Sequence, residues 1–526
     1  IINGRLDING QPGDSAKIIP YSDRVWGGMI FENDADDASI IEHAVISTGQ
    51  LSSPDTVDAL QLNNVAITVK NTVLKGLNRT LKLNNSMAFI DSVIINMGMS
   101  GIGAGAMNSD QSVITHSTFN RSSSSNVPIK IDSSETSISS NIFNANGNVS
   151  FSIEITGAAN DTIWIQDNLF NKEGLIKLNF GNWATVNVHN NEFHEPVNVM
   201  NNQSGTANMV NNLLFFPADY YGETNTIGTF NDLLSVKAPL INFYNNTVYS
   251  KADNMPTLFS ADKGQGSGPS EIHVKNSIAW GYGFDPVSES NGGVVNIDYS
   301  NIQSYTGGGT ANLDTFPGFK DTTELGLDLS LMDTSLMIDA GKPDFTSDSL
   351  ATNKDLASLA RFSNDTVDMG AYEFQFSAPN PPAGLTAKTI FKDRIDLSWM
   401  DNSPDEEGFV ILRSTADSNS VVAIDSVFAD VTAYVDTSVA PTTRYYYRLA
   451  SFGNDLNSDS TAAAKAHTAI SYYTNASVNQ DTLWNTDTVK VTGHVTVYDG
   501  VSLTIDPGVY VEMQDSSEFN IYGTIL

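Results

Sequence analysis

Val188-His189-Asn190-Asn191-Glu192-Phe193 is the phrase that decides the fold. It reads apolar, any, Asn-like, Asn/Ser-like, any, apolar. It returns as Val69-Lys70-Asn71-Thr72-Val73-Leu74 and as Phe243-Tyr244-Asn245-Asn246-Thr247-Val248. Looser copies end at Val45, Ile94, Phe119, Phe143, Phe170, Leu214, Ala279 and Ile302, in steps of 20 to 34 residues. A period of this size with one short strand signal per unit marks a solenoid. Apolar residues alternate around the phrase, as in Ile163-Trp164-Ile165 and Ile272-His273-Val274, so the units are strands with one buried face. The Asn pair falls where the chain leaves one strand and bends into the next. Asn tolerates the left-handed region, and stacked amides bond up and down a column. The reading is an all-β chain whose residues 1 to about 374 form a right-handed parallel β-helix of roughly eleven coils. At ~4.8 Å per strand the stack measures about 50 Å.

Composition narrows the function classes. Lys and Arg total 27 against 60 Asp and Glu, a net charge of −33. Nucleic acid and anionic membranes demand basic surface, so neither is expected as a partner. With no cysteine, disulfides, thiol nucleophiles and thiolate metal sites are excluded. No apolar run is long enough to span a bilayer. The chain opens at Ile1 without Met or a signal peptide and stops at Leu526 in mid-strand, which reads as two cuts through a longer polypeptide.

The opening stretch holds Ile2-Asn3-Gly4-Arg5-Leu6, then Gly10-Gln11-Pro12-Gly13-Asp14 and Trp26-Gly27-Gly28-Met29-Ile30-Phe31. It resembles the first coils of secreted bacterial right-handed β-helix proteins. Asp34, Asp36 and Asp37 follow; Ca²⁺ is a candidate ligand for such acidic loops, but the spacing is not that of an EF-hand and a solvated loop is expected. Excursions at 217–236 and 252–270 interrupt the coils. Near residue 375 come Ile338-Asp339-Ala340-Gly341, Asp355, Arg361 and Asp368-Met369-Gly370-Ala371-Tyr372-Glu373. These two blocks resemble the closing segment of bacterial "choice-of-anchor" surface β-helix proteins. The resemblance implies a cap over the last coil, with structural roles for Asp339, Asp368 and Glu373.

The expected domains are a β-helix with closing motif (1–375), a turn-rich linker (376–381), a fibronectin type III domain (382–470) and the opening coils of a further β-helix (471–526). The third assignment rests on Ile395-Asp396-Leu397-Ser398-Trp399, Gly408-Phe409-Val410-Ile411-Leu412-Arg413, Tyr434-Val435-Asp436 and Tyr445-Tyr446-Tyr447-Arg448-Leu449, which resemble fibronectin type III strands. The last rests on Leu503-Thr504-Ile505-Asp506-Pro507-Gly508-Val509 and Ile521-Tyr522-Gly523-Thr524-Ile525. Ile521, Gly523 and Ile525 match Ile2, Gly4 and Leu6, so these six residues are candidates for a junction. That junction is a tandem repeat in one polypeptide, subunits docking tail to head, or two unlike β-helices in one protein.

The β-helix fold also hosts pectate-lyase-like enzymes, so a carbohydrate-active enzyme, lyase or glycoside hydrolase, is the alternative function. Such chemistry needs acids or bases stacked on one face. Here the phrase carries Asn, Ser and Thr. Asp91 and Asp167 share the third position on distant coils; His43, His116 and His189 fall at different places; Arg79, Lys82, Arg121 and Lys130 are scattered. No catalytic, cofactor or metal residue is assigned. Asp followed by Thr or Ser recurs, resembling the O-glycosylation signal of Bacteroidota secreted proteins and making Thr56, Ser92, Thr162, Thr366, Ser426 and Thr488 candidate sites. The expectation is a non-catalytic extracellular structural or adhesive protein of a bacterial cell surface, self-associating or repeated end to end, with surface polysaccharide as a further candidate partner.

Overall fold

The computed structural model describes the chain apart from residues 21–26, 34, 49–57, 77–78, 85, 98–101, 106–111, 122–128, 133–135, 146–150, 158–161, 172–173, 181–183, 195–199, 202–204, 218–226, 231–238, 252–256, 264–269, 282–285, 324, 344, 346–347, 363–365, 455 and 487. Two compact units divide it, Ile1–Gln375 and Phe376–Leu526. Among the described residues no helix is long and apolar enough to cross a membrane.

The first unit is a parallel β-solenoid with three sheets. A first sheet of 12 strands runs from Asp7–Asn9 to Val294–Asp298, and a second of 12 from Ala16–Ile18 to Asn301–Ile302. The third has 11 strands, from Met29–Phe31 to Val287–Ser290. Each strand bonds the strand one coil later, so the count exceeds the eleven read from the sequence. The extra coil is Asp7–Ile18, which lacks the Asn phrase because its bend is a turn closed by Gln11 and Asp14.

The bend between the first and second sheets explains the phrase. Its first polar residue has positive φ on every later coil: His43, Asn71, Ser92, His116, Ser140, Asp167, Asn190, Asn211, Asn245, Asn276 and Tyr299, all between 46° and 57°. Asn, Asp and Ser side chains lower the cost of that conformation by bonding locally. The second polar residue turns inward and builds a ladder. Ser117 N–H donates to Asn141 Oδ1 at 2.9 Å, and the Nδ2 groups of Asn141, Asn168, Asn191 and Asn212 each donate to the next Asn Oδ1, ending on Asn246, at 2.9–3.0 Å. Serine hydroxyls then take over: Asn246 N–H reaches Ser277 Oγ at 3.2 Å and Ser277 N–H reaches Ser300 Oγ at 3.1 Å. Inside the bore, Phe119, Phe143, Phe170 and Phe193 stack with centroids 4.6–4.7 Å apart. All four are buried, and each contributes about 1.5–3 kcal/mol of burial.

Register corrects two copies of the phrase. Ile46 pairs with Leu74, and Ile95 pairs with Leu74 and Phe119, so those copies end at Ile46 and Ile95 rather than Val45 and Ile94. Alternating Ile and Val on both sides of the bend made the one-residue slip invisible to pattern alone. The excursions are also not plain loops: they hold the third-sheet strands Ile227–Phe230 and Phe259–Asp262.

After Ile302 the chain crosses the end of the bore, where Asn312 takes the next ladder place: Ser300 N–H donates to its Oδ1 at 3.1 Å and its Nδ2 to Ile297 O at 2.6 Å. A hairpin of Phe319–Asp321 and Asp328–Leu331 follows. The closing segment does not cap the last coil, as its sequence suggests. It runs back as a strap along the solenoid's side. Leu213 and Ile278, on the outer face of the second sheet, share a buried cluster with Phe319, Leu329, Leu331, Met337 and Met369. Val210 and Tyr244 share another with Phe345 and Val367. The strap covers the apolar outer residues of these coils, whereas Ile94 and Ile142, in the same column on earlier coils, are exposed.

The second unit opens with a β-sandwich. One sheet joins Ala383–Phe391, Arg394–Met400 and Ala433–Asp436; the other joins Val422–Phe428, Gly408–Ser414, Arg444–Gly453 and Ala464–His467. Trp399, Phe409, Tyr447 and Leu449 fill its core. The 376–381 stretch is stitched to this sandwich: Asn380 N–H donates to Ser403 Oγ at 3.0 Å and Ser451 Oγ donates to Asn380 O at 2.7 Å. Parallel pairing then resumes. Thr488–Val497 lies between Ile470–Val478 and the strands Tyr510–Met513 and Glu518–Ile521, while Thr482–Trp484, Ser502–Ile505 and Thr524–Ile525 form a second stack.

Candidate functional site

The densest cluster of buried charge in the described residues lies in the strap. Arg361 is fully buried. Its Nη2 donates to Asn211 Oδ1 at 2.8 Å and to Ala371 O at 2.6 Å, and its Nη1 donates to Gly370 O at 3.1 Å and sits 3.5 Å from Glu373 Oε2. Three carboxylates surround this cation, and backbone N–H groups hold each of them. Asp368 accepts from Asp339 N–H at 2.8 Å and Phe374 N–H at 2.5 Å. Asp355 accepts from Leu359 N–H at 2.7 Å and Glu373 N–H at 2.9 Å. Glu373 Oε2 accepts from Asp368 N–H at 3.0 Å. Burial pushes the Glu373 carboxyl up to about 9, aided by the Asp368 charge and opposed by Arg361. Burial also raises Asp368 to about 6, against the pull of its two N–H donors. A neutral Glu373 spares the Arg361 cluster one buried negative charge.

Thus Asp339, Asp368 and Glu373 come together in a structural network. Asp355, Asp328 and Glu373 also line a cavity of about 260 Å³ with Lys320 and Tyr372. Asp328 spends one oxygen on Ser330 N–H and Oγ, at 3.0 and 2.6 Å.

The other candidates separate. Register moves Asp91 one place earlier than Asp167: Ser92, not Asp91, has the positive φ of the bend. His43 and His116 do share the bend position, three coils apart, whereas His189 ends its strand one residue before the bend. His116 Nδ1 lies 3.1 Å from Asp91 Oδ1. Burial lowers His189 to about 4, so it is neutral. Of the four cations, Lys82 and Lys130 share a column of the third sheet through Gly103, Arg79 is the register partner of Asp58 in that sheet, and Arg121 belongs to the second sheet.

Asp36 Oδ1 accepts from Ala38 N–H at 2.8 Å and Asp37 Oδ1 from Ala66 N–H at 2.7 Å; Asp34 lies outside the described residues. A carboxylate trio that sequence reading missed is Asp401, Glu406 and Asp430, each offering an oxygen within 4.8 Å of the others. Only sandwich topology joins these three, so no spacing signal pointed to them.

Among candidate glycosylation sites, Ser92 and Ser426 are exposed, Thr162 is half-buried, and Thr56 lies outside the described residues. The Thr366 hydroxyl donates to Asp339 Oδ1. Thr488 is buried at 5 % exposure, which closes it to a sugar, and its strand neighbour Val489 belongs to the core. Of the junction candidates, Ile2 bridges to Phe31 and Ile521 pairs with Val497. A Cβ on Gly4 would meet no neighbour, while one on Gly523 would meet Tyr498 O and Val501 O at 2.3 Å. Leu6 N–H donates to Ser39 Oγ at 3.1 Å, and Ile525 pairs with Leu503.

The sandwich has the strand order of an antiparallel seven-stranded Greek key, with Tyr447 Oη donating to buried Asp436 Oδ2 at 2.7 Å and Ala440 N–H donating to Tyr445 Oη at 2.7 Å. This is a fibronectin type III-like fold. Comparison with solved structures finds a Fn3-like protein from Clostridium thermocellum at 30% identity, over 17% of this chain and 92% of that one, with a TM-score of 0.16. The FN1-FN3 domains of chicken CNTN1 match at 19% identity, over 18% of this chain and 31% of that one, with a TM-score of 0.16. A β-1,2-glucanase from Parabacteroides distasonis matches at 22% identity, over 20% of this chain and 15% of that one, with a TM-score of 0.17. The chain therefore spans less than a third of the chicken and glucanase structures. No family model and no curated protein matches it.

Proposed function

We propose that this protein is a non-catalytic extracellular structural or adhesive component of a bacterial cell surface, one unit of a repetitive rod or filament. The observation that carries the reading is the ladder from Ser117 to Asn312. Polar side chains that a binding groove would turn outward are used to fasten coil to coil. A fibronectin type III-like sandwich followed by renewed parallel coils fits a spaced, repeating architecture. The two closing blocks support the finer resemblance to choice-of-anchor surface proteins.

The junction residues support end-to-end continuation. Ile2 and Ile521 each pair in one sheet, and within three residues of Ile521, as within five of Ile2, the next strand opens in another sheet. The tail coils thus present the motif that the head coils begin with, whether in a tandem polypeptide or in a docked copy. A net charge of −33 suits an exposed, soluble surface.

The alternative, a carbohydrate-active enzyme, is separated by incubating the protein with a panel of neutral and uronate polysaccharides and measuring new reducing ends and unsaturated products. No turnover is expected. Turnover abolished by Glu373→Gln, in a variant that still folds, would favour the enzyme.

A further inference from the structure

The chain does not leave the first unit from its last coil. It leaves from the strap, after the strap has run back over earlier coils. The final anchored segment, Val367–Phe374, is tied to three coils at once. Gly370 N–H donates to Asn276 O at 2.7 Å, Ala371 N–H donates to Thr247 Oγ1 at 2.9 Å, and Arg361 links the carbonyls of Gly370 and Ala371 to Asn211 Oδ1. Asn211, Thr247 and Asn276 stand on consecutive coils, Asn211 and Asn276 at the bend and Thr247 at the start of the strand that follows it. A further pair fastens the strap's earlier part to the last of these: Lys275 Nζ lies 3.0 Å from Asp348 Oδ2, and Lys342 N–H donates to Asn276 Oδ1 at 2.7 Å. Gly370 makes the approach possible, since a Cβ there would lie 2.8 Å from Thr247 Oγ1 and 2.9 Å from Ile278 Cδ1, at a φ of 103°.

We propose that the strap is a tension clasp: a pull arriving through Phe376 is delivered to the three coils holding Asn211, Thr247 and Asn276 together, not to the terminal coil. The inference rests on the structural reading given above. Without the clasp, the load would fall on the Asn312–Leu313 segment and then on Asn301–Ile302, a two-residue strand, and the solenoid would peel one coil at a time, because each coil is held only by its neighbours. Attachment through the strap loads several bonds in parallel. The buried guanidinium acts as the rivet, since breaking its contacts strands a buried charge without its hydrogen-bond partners.

The chain has no cysteine, so optical-tweezers handles attach only at introduced thiols. One protein carries Asp167→Cys, on an interior coil, with Asn457→Cys, which pulls through the strap. A second carries Asp167→Cys with Asp314→Cys, which pulls on the end of the stack directly. The expected result is a higher first rupture force for the solenoid through the strap than through residue 314, with that difference lost in Arg361→Met. Thr247→Val serves as the second variant should Arg361→Met fail to fold, and it is expected to narrow the difference. Equal rupture forces from the two attachment points in the otherwise unaltered protein would overturn the clasp. Filament imaging reads the underlying structural role separately: a clasp that holds in a protein that never forms rods would leave only that role in error.

Discussion

Asn212 Oδ1 receives two hydrogen bonds from Asn191, one from its backbone N–H and one from its Nδ2, both at 3.0 Å. One side chain therefore closes the bend of the coil before it and passes the pattern on, since Asn212 Nδ2 donates to Val188 O and to Asn246 Oδ1 at 2.8 and 2.9 Å. From Asn141 to Asn246, every side-chain amide oxygen and nitrogen of the column has a partner on a neighbouring coil.

Asn191→Ala should break this column at its centre. It would orphan the buried N–H of Asn168 and the carbonyl of Ile165, which Asn191 now satisfies at 3.0 and 2.9 Å. A loss of about 2–4 kcal/mol in the stability of the first unit is expected. Asn191→Ser should lose less than half as much, because Ser277 fills the equivalent place elsewhere. Urea unfolding followed by tryptophan fluorescence and circular dichroism measures both.

Phe170→Ala tests the ring stack. Phe170 lies 4.6 Å from both Phe143 and Phe193 and is buried. Removing the ring should cost about 3–5 kcal/mol, the usual range for a large core aromatic. Phe170→Leu should cost far less in the same unfolding assay.

The strap should loosen as pH rises. Glu373 and Asp368 have folded-state values raised to about 9 and about 6, from ordinary values of 4.5 and 3.8. The folded strap therefore holds protons that the unfolded strap has released. Its stability is greatest below about pH 4, falls towards pH 6 as Asp368 ionises, and continues to fall towards pH 9 for Glu373. Hydrogen exchange at the Gly370 and Ala371 amides should accelerate over this window beyond the intrinsic base-catalysed rate. Glu373→Gln should flatten the upper part.

In the sandwich, Tyr447→Phe removes the donor to Asp436 while leaving Arg413 Nη1 and Ser438 Oγ in place at 2.7 and 2.8 Å. The expected loss is about 1.5–3 kcal/mol, that of a hydrogen bond to a charged group. It should appear in the second unit's transition alone.

If the protein is O-glycosylated, the sugars should sit on Ser92 and Ser426, which are exposed, and be absent from Thr488, which is buried. Peptide mass spectrometry of the protein from its native source distinguishes them.

The solenoid was legible because one conformational demand repeats. A bend that needs positive φ and an inward ladder side chain writes two polar letters into every coil, as at Asn190 and Asn191. Where that demand is met otherwise, as at the Gln11–Asp14 turn, the phrase is absent, and that coil showed only through its resemblance to the first coils of other β-helix proteins. The sandwich was legible through the alternation ending in Trp399 and through the tyrosines of Arg444–Gly453. The strap was not. Its motif residues bond one another and would look the same over a coil's end as along its side; only contacts such as Arg361 to Asn211, 150 residues apart, fix its course. The Asp401, Glu406 and Asp430 trio was hidden for the same reason.

The central claim is that this protein is one structural unit of an end-to-end assembly. Negative-stain electron microscopy of the protein as isolated from its native source tests it most directly. The expected result is rods or filaments with a regular axial repeat, in which coils bearing Ile521–Ile525 run on into coils bearing Ile2–Leu6. Single, blunt particles at every concentration, without an axial repeat, would contradict it.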